Sequence, residues 1–361
     1  MAMAGAQYGK LDVRVLLVLL LGLSACESST TLRPQIDAAA LEREQHIQRV
    51  IAVDQNVRDD ARLQDVSFRL LRAAAPDFCR RRTVLSVGMQ VSTAYDFDRE
   101  FQDAAREALA IDETATVVSV VSGGPADVAG IQAGDEIVAI NGNPLVEGTN
   151  ASAIYRNLLR SEMRASQALQ LSVRRDSAQA EFTVQPLTIC DYPVAMLVSD
   201  NLNAYADGES IYVTRRMLRF AEQDEELSLV IAHEIAHNAM DHVAKIQQNS
   251  TLGSLVDLAV QSQGFDTNGF FGRLTAGVYS QDFEAEADYV GMYILARAGV
   301  NLDGAAYFWR RMAIENPGNI DSSHSSSHPA TAERFLALEN TILEVAKKQA
   351  AQQALDPQIR E

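Results

Sequence analysis

The stretch LSLVIAHEIAHNAMDH, Leu227 to His242, constrains the fold more than any other part of the chain. No Gly or Pro interrupts it, so it reads as one helix, and Asp224, Glu225 and Glu226 just upstream suit a helix start. A helix this apolar needs a core around it. The same letters contain His-Glu-x-x-His, so the helix is either an ordinary buried one or the centre of the chemistry, and the rest of the chain must decide.

On such a helix His233 and His237 project from one face and can share a metal ion. Glu234, rotated by one position, can face a metal-bound water without being a ligand. A zinc ion so held lowers the pKa of its water toward about 7, and a neighbouring carboxylate can take the proton as hydroxide attacks a carbonyl. Zinc peptidases of this kind need a third protein donor. SQDFEAEADYVGMYILARAG, Ser280 to Gly299, is a second helix with apolar spacing and a terminal Gly, and it places Glu284 and Asp288 on one face. Glu284 can serve as the third ligand and Asp288 as the acceptor that orients a histidine. Taken alone, the pair would be an ordinary solvated acidic face.

Four segments in order, NLNAYADGESIYVTRRML, DEELSLVIAHEIAHNAMDH, EAEAD and HPATAERF, resemble the zinc metallopeptidase family of the CaaX prenyl protease, the HtpX-type membrane proteases and their periplasmic relatives. The resemblance implies one Zn2+ per chain held by His233, His237 and Glu284, with Glu234 as general base and Asp288 behind the ligands. It places Asn203 and Ala204 on the edge of the cleft along which a substrate extends. In the family the late segment approaches the active site, which makes His328 and Arg334 candidates for oxyanion stabilisation or, for the histidine, closure over the zinc. His324 in the same Ser-rich loop competes for that role, and Arg334 as a helix-packing residue is the plain alternative. His242, five residues after His237, reads as a packing or capping residue.

Upstream, from Arg82 to Gln185, the pattern changes to short alternating runs broken by turns. TVVSVV is a strand by β-branched content, EIVAI is another closed by Asn141-Gly142, and ALQLSVRRDSAQAEFTVQPL reads as a hairpin with Asp176 and Ser177 at its tip. GGPADVAGIQAGDEIVAINGNPL resembles a bacterial PDZ domain of the type found in periplasmic proteases. That implies a groove for an extended peptide C-terminus beside the helix Ser152 to Ala165, with the loop around Gly88 as the candidate carboxylate site. Before it, residues Ile36 to Ala75 carry apolar positions at helical spacing as far as Pro76: one long helix or two, a brace against the catalytic body or a solvated spacer.

The amino terminus runs basic, apolar, small: Lys10 and Arg14, then VLLVLLLGL, then SAC. This is secretory-signal order, and the apolar run is shorter than the roughly 20 residues a bilayer span needs. LSAC resembles the bacterial lipoprotein box, which implies lipidation of Cys26, and Glu27 after it, where inner-membrane retention uses Asp, implies the outer membrane. Cys79 and Cys190 bracket the PDZ-like module, and in an oxidising compartment they are either one disulfide clasping its ends or two buried thiols. The formal net charge of -17 disfavours nucleic acid as a partner.

The expected fold class is α+β: a mainly helical zincin-type metallopeptidase domain with a small sheet, a β-rich PDZ domain and an N-terminal helical segment. The expected division is a lipoprotein signal peptide (1–25), a lipid-anchored linker and helix (26–82), the PDZ domain (83–188) and the metallopeptidase domain (189–355). The expected function is a zinc endopeptidase of the bacterial envelope acting on unfolded or misassembled envelope proteins. The rival is a PDZ-bearing chaperone or assembly factor at the outer membrane whose zinc site is latent or structural.

Overall fold

The computed structural model describes residues 33–79, 82–164, 167–248, 270–315 and 332–358, with single residues 31 and 251; over 270–280 it describes the backbone alone. The expected signal segment and Cys26 lie outside the described residues. No helix among the described residues is long and apolar enough to cross a membrane.

Helix α1, Ala38–Ala74, runs without a break. Asp37 accepts the amide of Ala40 (2.9 Å) at its start, and Ile36 and Leu41 in this first stretch are exposed. From residue 47 onward the helix becomes structural. Val53 packs with Ala94, Ala104, Ala105 and Ile111 of the inserted helical turn, and Leu63, Val66, Leu70, Leu71 and Ala74 join the core of the C-terminal half. Arg62 fastens it further, donating to Asp224 Oδ1 (2.8 Å) and to the carbonyls of Leu218 (2.9 Å) and Ala221 (2.7 Å). The helix is thus packed as a brace against the C-terminal half.

The β-rich module starts with β1 (Thr83–Ser86) and β2 (Met89–Ser92). Two 3-10 turns (Ala94–Asp96 and Arg99–Phe101) and α2 (Gln102–Leu109) follow, then β3 (Thr116–Val120), α3 (Pro125–Ala129), β4 (Glu136–Ile140) and β5 (Asn143–Pro144). Helix α4 (Ala151–Glu162) and the hairpin β6 (Leu169–Arg175) and β7 (Ala178–Val184) complete it. The sheet order is β2-β3-β4-β6-β7 with β5 on β4, all antiparallel. Both expected hairpin turns take the left-handed conformation that two-residue turns demand: Asn141 and Gly142 at φ 50° and 78°, Asp176 and Ser177 at 49° and 68°. Ile131, Ile137, Ile140, Tyr155, Leu169, Leu171 and Val173 fill the core under the sheet.

Strand β8 (Leu187–Cys190) returns to pair with β1, Thr83 opposite Cys190. Cys79 and Cys190 are joined in a disulfide there, with Cα atoms 5.4 Å apart. The bridge sits where the chain enters and leaves the module. Beyond it β9 (Val194–Leu197), β10 (Ala204–Ala206) and β11 (Ile211–Thr214) form a small sheet ordered β10-β11-β9. The helices α5 (Arg215–Phe220), α6 (Asp224–Ala239), α7 (Phe270–Arg297), α8 (Ala305–Glu315) and α9 (Ala332–Ala350) follow. The fold is mixed α+β, with α6 at the centre of its C-terminal half.

Candidate metal centre

Helix α6 is buried along its whole length from Leu227 to Asn238. That burial follows from its composition, because a helix apolar on every side has no face to give to water. Gln223 and Glu226 cap its start in a reciprocal box, and Arg311 on α8 pairs with Glu226 at 2.7 Å. At its other end Asn238 accepts the amide of Gly208 (2.8 Å) and donates to the carbonyl of Ser210 (3.1 Å), holding the β10–β11 hairpin beside the helix.

Helix α7 lies against α6, close enough at Gly291 that a Cβ there would meet the Ala232 carbonyl and the His233 amide nitrogen at 3.4 Å. This approach delivers Glu284 to both histidines. His233 Nε2 and His237 Nε2 are 3.0 Å apart, and the two oxygens of Glu284 lie 3.4 Å from the first and 3.2 Å from the second. All three residues are buried and form a cluster able to hold a metal ion. Three lone-pair donors converging in the interior would repel one another without a cation among them. Glu234, also buried, lies near enough for its charge to act on His237 and on Arg334.

A second layer fixes His233. Its Nδ1 lies 2.9 Å from Asp288 Oδ1. Asp288 is in turn gripped by Arg334 from α9, which donates through Nε (2.7 Å) and Nη2 (2.8 Å) and reaches Glu284 with Nη1 at 3.3 Å. Tyr289 and Tyr293 of α7 donate to Glu344 of α9 and so hold the two helices in register. Trp309 of α8 covers the group, its ring centroid 5.6 Å from that of His233 and 5.7 Å from the Arg334 guanidinium carbon.

The electrostatics follow from burial. Desolvation opposes the charge on Asp288, yet Arg334 and then His233 hold its carboxyl below the ordinary carboxylate range. Burial likewise penalises His233, but Asp288 and Glu284 together lift it to about 10. Burial lowers His237, which keeps its imidazole neutral.

The geometry sharpens two expectations. Arg334 is buried and bound to two carboxylates, Asp288 and Glu284, as a packing residue would be. The helix expected to run to His242 ends at Ala239, because Asp241 adopts a left-handed φ of 55° and a new helical segment starts at His242. His242 is fully buried, with Nδ1 3.0 Å from His237 Nδ1 and Nε2 2.7 Å from Glu286 Oε2. Its ring stacks on Phe283 at 4.6 Å. Sequence reasoning missed this, although an Asp after a helix terminus is a residue that tolerates the left-handed turn. His328 and His324 lie outside the described residues. Asn203 precedes β10, whose Ala204 pairs with Val213 of β11, and among the described residues β10 is the outer strand of its sheet, beside α6.

Between β2 and α4 lies a cleft of about 650 Å³ lined by Met89, Val91, Tyr155 and Leu159. It is not a simple groove of the module alone, since Asn56 and Asp60 of α1, Met196 of β9 and Arg215 also wall it. Gly88, at φ 68°, stands against Pro125 and Phe68 and turns the chain into β2.

Residues 164–342 match the description "Peptidase family M48" and residues 116–164 match "PDZ domain". The mitochondrial metalloendopeptidase OMA1 of Schizosaccharomyces pombe is 29% identical over 39% of this chain and 43% of its own length. The metalloprotease LoiP of Escherichia coli is 28% identical over 39% of the chain and 65% of its own, and the beta-barrel assembly-enhancing protease of Yersinia pestis 27% over 33% and 27%. The chain thus spans less than two-thirds of these relatives. A solved PDZ domain of HtrA3, bound to a phage-derived ligand, is 25% identical over 30% of this chain and 88% of that one, with a TM-score of 0.22. The family profile takes in α6, Glu284, Asp288 and Arg334 together with the β9–β11 sheet, and the chain is a PDZ-bearing member of peptidase family M48, the HExxH metallopeptidases.

Proposed function

We propose that the chain is a zinc-dependent endopeptidase of the bacterial cell envelope that cleaves unfolded or misassembled envelope proteins. The observation that carries this is the buried triangle of His233, His237 and Glu284 with Glu234 on the same helix. Zinc suits the donor set: bonds of 2.0–2.1 Å at tetrahedral angles put ligand atoms about 3.3 Å apart, and here the two Nε2 atoms stand 3.0 Å apart, with one Glu284 oxygen 3.4 Å from His233 and the other 3.2 Å from His237. Zinc bound there supplies Lewis-acid activation of a water and of the scissile carbonyl. Glu234 takes the proton of the attacking water and returns it to the leaving amine. Asp288 and Arg334 act through His233 and Glu284 as positioning residues.

The position of β10 at the edge of the described sheet, beside α6, supports an extended substrate laid near Asn203 and Ala204 as an added strand. The cleft between β2 and α4 supports capture of an exposed peptide end. A relative named beta-barrel assembly-enhancing protease supports the envelope as the compartment, and the LSAC stretch supports anchoring through a lipid on Cys26, in the outer membrane.

Casein proteolysis tests the reading. The wild-type protein should degrade casein in a chelator-sensitive way, and Glu234→Gln should fall at least 100-fold while keeping its zinc. A wild type that is inactive with zinc bound, yet suppresses client aggregation, would instead make this a binding protein.

A further inference from the structure

The second backing of the metal centre is a relay that no part of the proposed mechanism uses. His242 is wholly buried, the first residue after a left-handed break in its helix. One ring nitrogen faces the outer nitrogen of His237 at 3.0 Å and the other meets Glu286 at 2.7 Å. Hydrogen-bond chemistry allows one arrangement of protons once His237 gives Nε2 to a metal. His237 must then carry its proton on Nδ1 and donate it; His242 must accept at Nδ1 and donate from Nε2; Glu286 accepts at the end. Each group makes one bond in each direction open to it, and the tautomers of both imidazoles follow.

We propose that His242 and Glu286 are positioning residues for the metal: Glu286 fixes the tautomer of His242, and His242 fixes the tautomer and ring plane of the ligand His237. The proposal rests on the reading of His237 as a ligand. A ligand imidazole commonly donates its outer nitrogen to a carboxylate, carbonyl or water, and His233 does so directly to Asp288. Here the carboxylate is set one imidazole further out. Two features mark the arrangement as built. The left-handed residue Asp241 is what turns His242 back, because on an unbroken helix a residue five positions on would point about 140° away from His237. Phe283, one residue before the ligand Glu284, stacks on the His242 ring with an interplanar angle of 19° and holds its plane. Lys245 reaches Glu286 at 4.0 Å and is the nearby cation that shares it.

The test measures zinc affinity of the full-length protein by competition with a chromophoric chelator, with the visible spectrum of the Co2+-substituted protein as a second readout. Glu286→Gln should weaken zinc about 10-fold, and His242→Phe, which keeps a stacking ring but cannot accept a proton, on the order of 10- to 100-fold. His242→Gln, which restores an acceptor, should recover part of that loss and part of the Co2+ spectrum. The double variant His242→Phe/Glu286→Gln should be no weaker than His242→Phe, because the two residues act in series. Glu286 is half-exposed, so its variant reports even if a ring replacement at 242 does not fold. His237→Ala separates the failures. If it loses zinc while Glu286→Gln and His242→Phe bind as tightly as the parent, the relay is wrong and the ligand reading stands; if it keeps zinc, the ligand reading is itself wrong.

Discussion

His233 and His237 sit one turn apart on α6 and face the same point, but they are backed by different chemistry. Behind His233 stands a buried carboxylate, Asp288, whose charge the interior tolerates chiefly because Arg334 clamps both its oxygens. Behind His237 stands a second imidazole, His242, which burial pushes down to about 4, and the charge is displaced to Glu286 near the surface. The first side keeps a negative charge inside and needs a cation from a helix 46 residues away in sequence. The second needs no buried counter-charge. A buried ion can be used for orientation only if something else holds it, while a neutral relay can be built from neighbours on the chain.

The largest expected effect breaks the first side. Arg334→Met leaves Asp288 buried without its cation, and removing one partner of a buried pair typically costs about 3–5 kcal/mol. Urea unfolding of the metal-free protein should show a loss of that size. A loss under about 1 kcal/mol would mean that Asp288 does not depend on Arg334, and the contrast between the two sides would fail.

Next in size is Asp288→Asn, which keeps the shape but removes the charge behind His233. Zinc affinity should drop on the order of 10- to 100-fold, or about 1.4–2.7 kcal/mol. The loss should exceed that of Glu286→Gln, because Asp288 touches the ligand histidine directly and water does not screen it. Chelator competition on the two variants side by side decides this; equal losses would show that distance and burial of the carboxylate do not matter here.

How much of this was legible in the sequence tracks the range of the interactions. His233 and His237, or Glu284 and Asp288, are one helical turn apart, so the helical period alone puts each pair on one face. The turns at Asn141-Gly142 and Asp176-Ser177 were legible for a similar reason, since their residue types tolerate the left-handed region that tight hairpins need. Helical spacing in α1 was plain, but not that its second half belongs to the peptidase core, because periodicity shows a buried face without showing its partner. Arg334 is the same problem at longer range: the sequence leaves it between a role at the substrate and helix packing until a buried carboxylate from another helix meets it. His242 reads as a packing residue and does pack, but its contact with His237 is hidden in the sequence because nothing there breaks the helix at Asp241.

That one residue supplies the smallest and sharpest test. Asp241 is exposed and holds a φ of 55°, which β-branched residues adopt at a cost of about 1–2 kcal/mol. Its amide donates to the Asn238 carbonyl and its own carbonyl accepts the amide of Lys245, so the backbone on both sides is committed. Asp241→Gly removes an exposed side chain and suits the conformation, so stability should change by less than about 1 kcal/mol and zinc affinity not at all. Asp241→Val disfavours the turn, and its effect should appear as weaker zinc binding through the His237 side, with Arg334 and Asp288 still contributing their full stability. If Asp241→Val lowers stability but leaves zinc affinity unchanged, the turn serves the fold alone and the two sides of the site are less different than their geometry indicates.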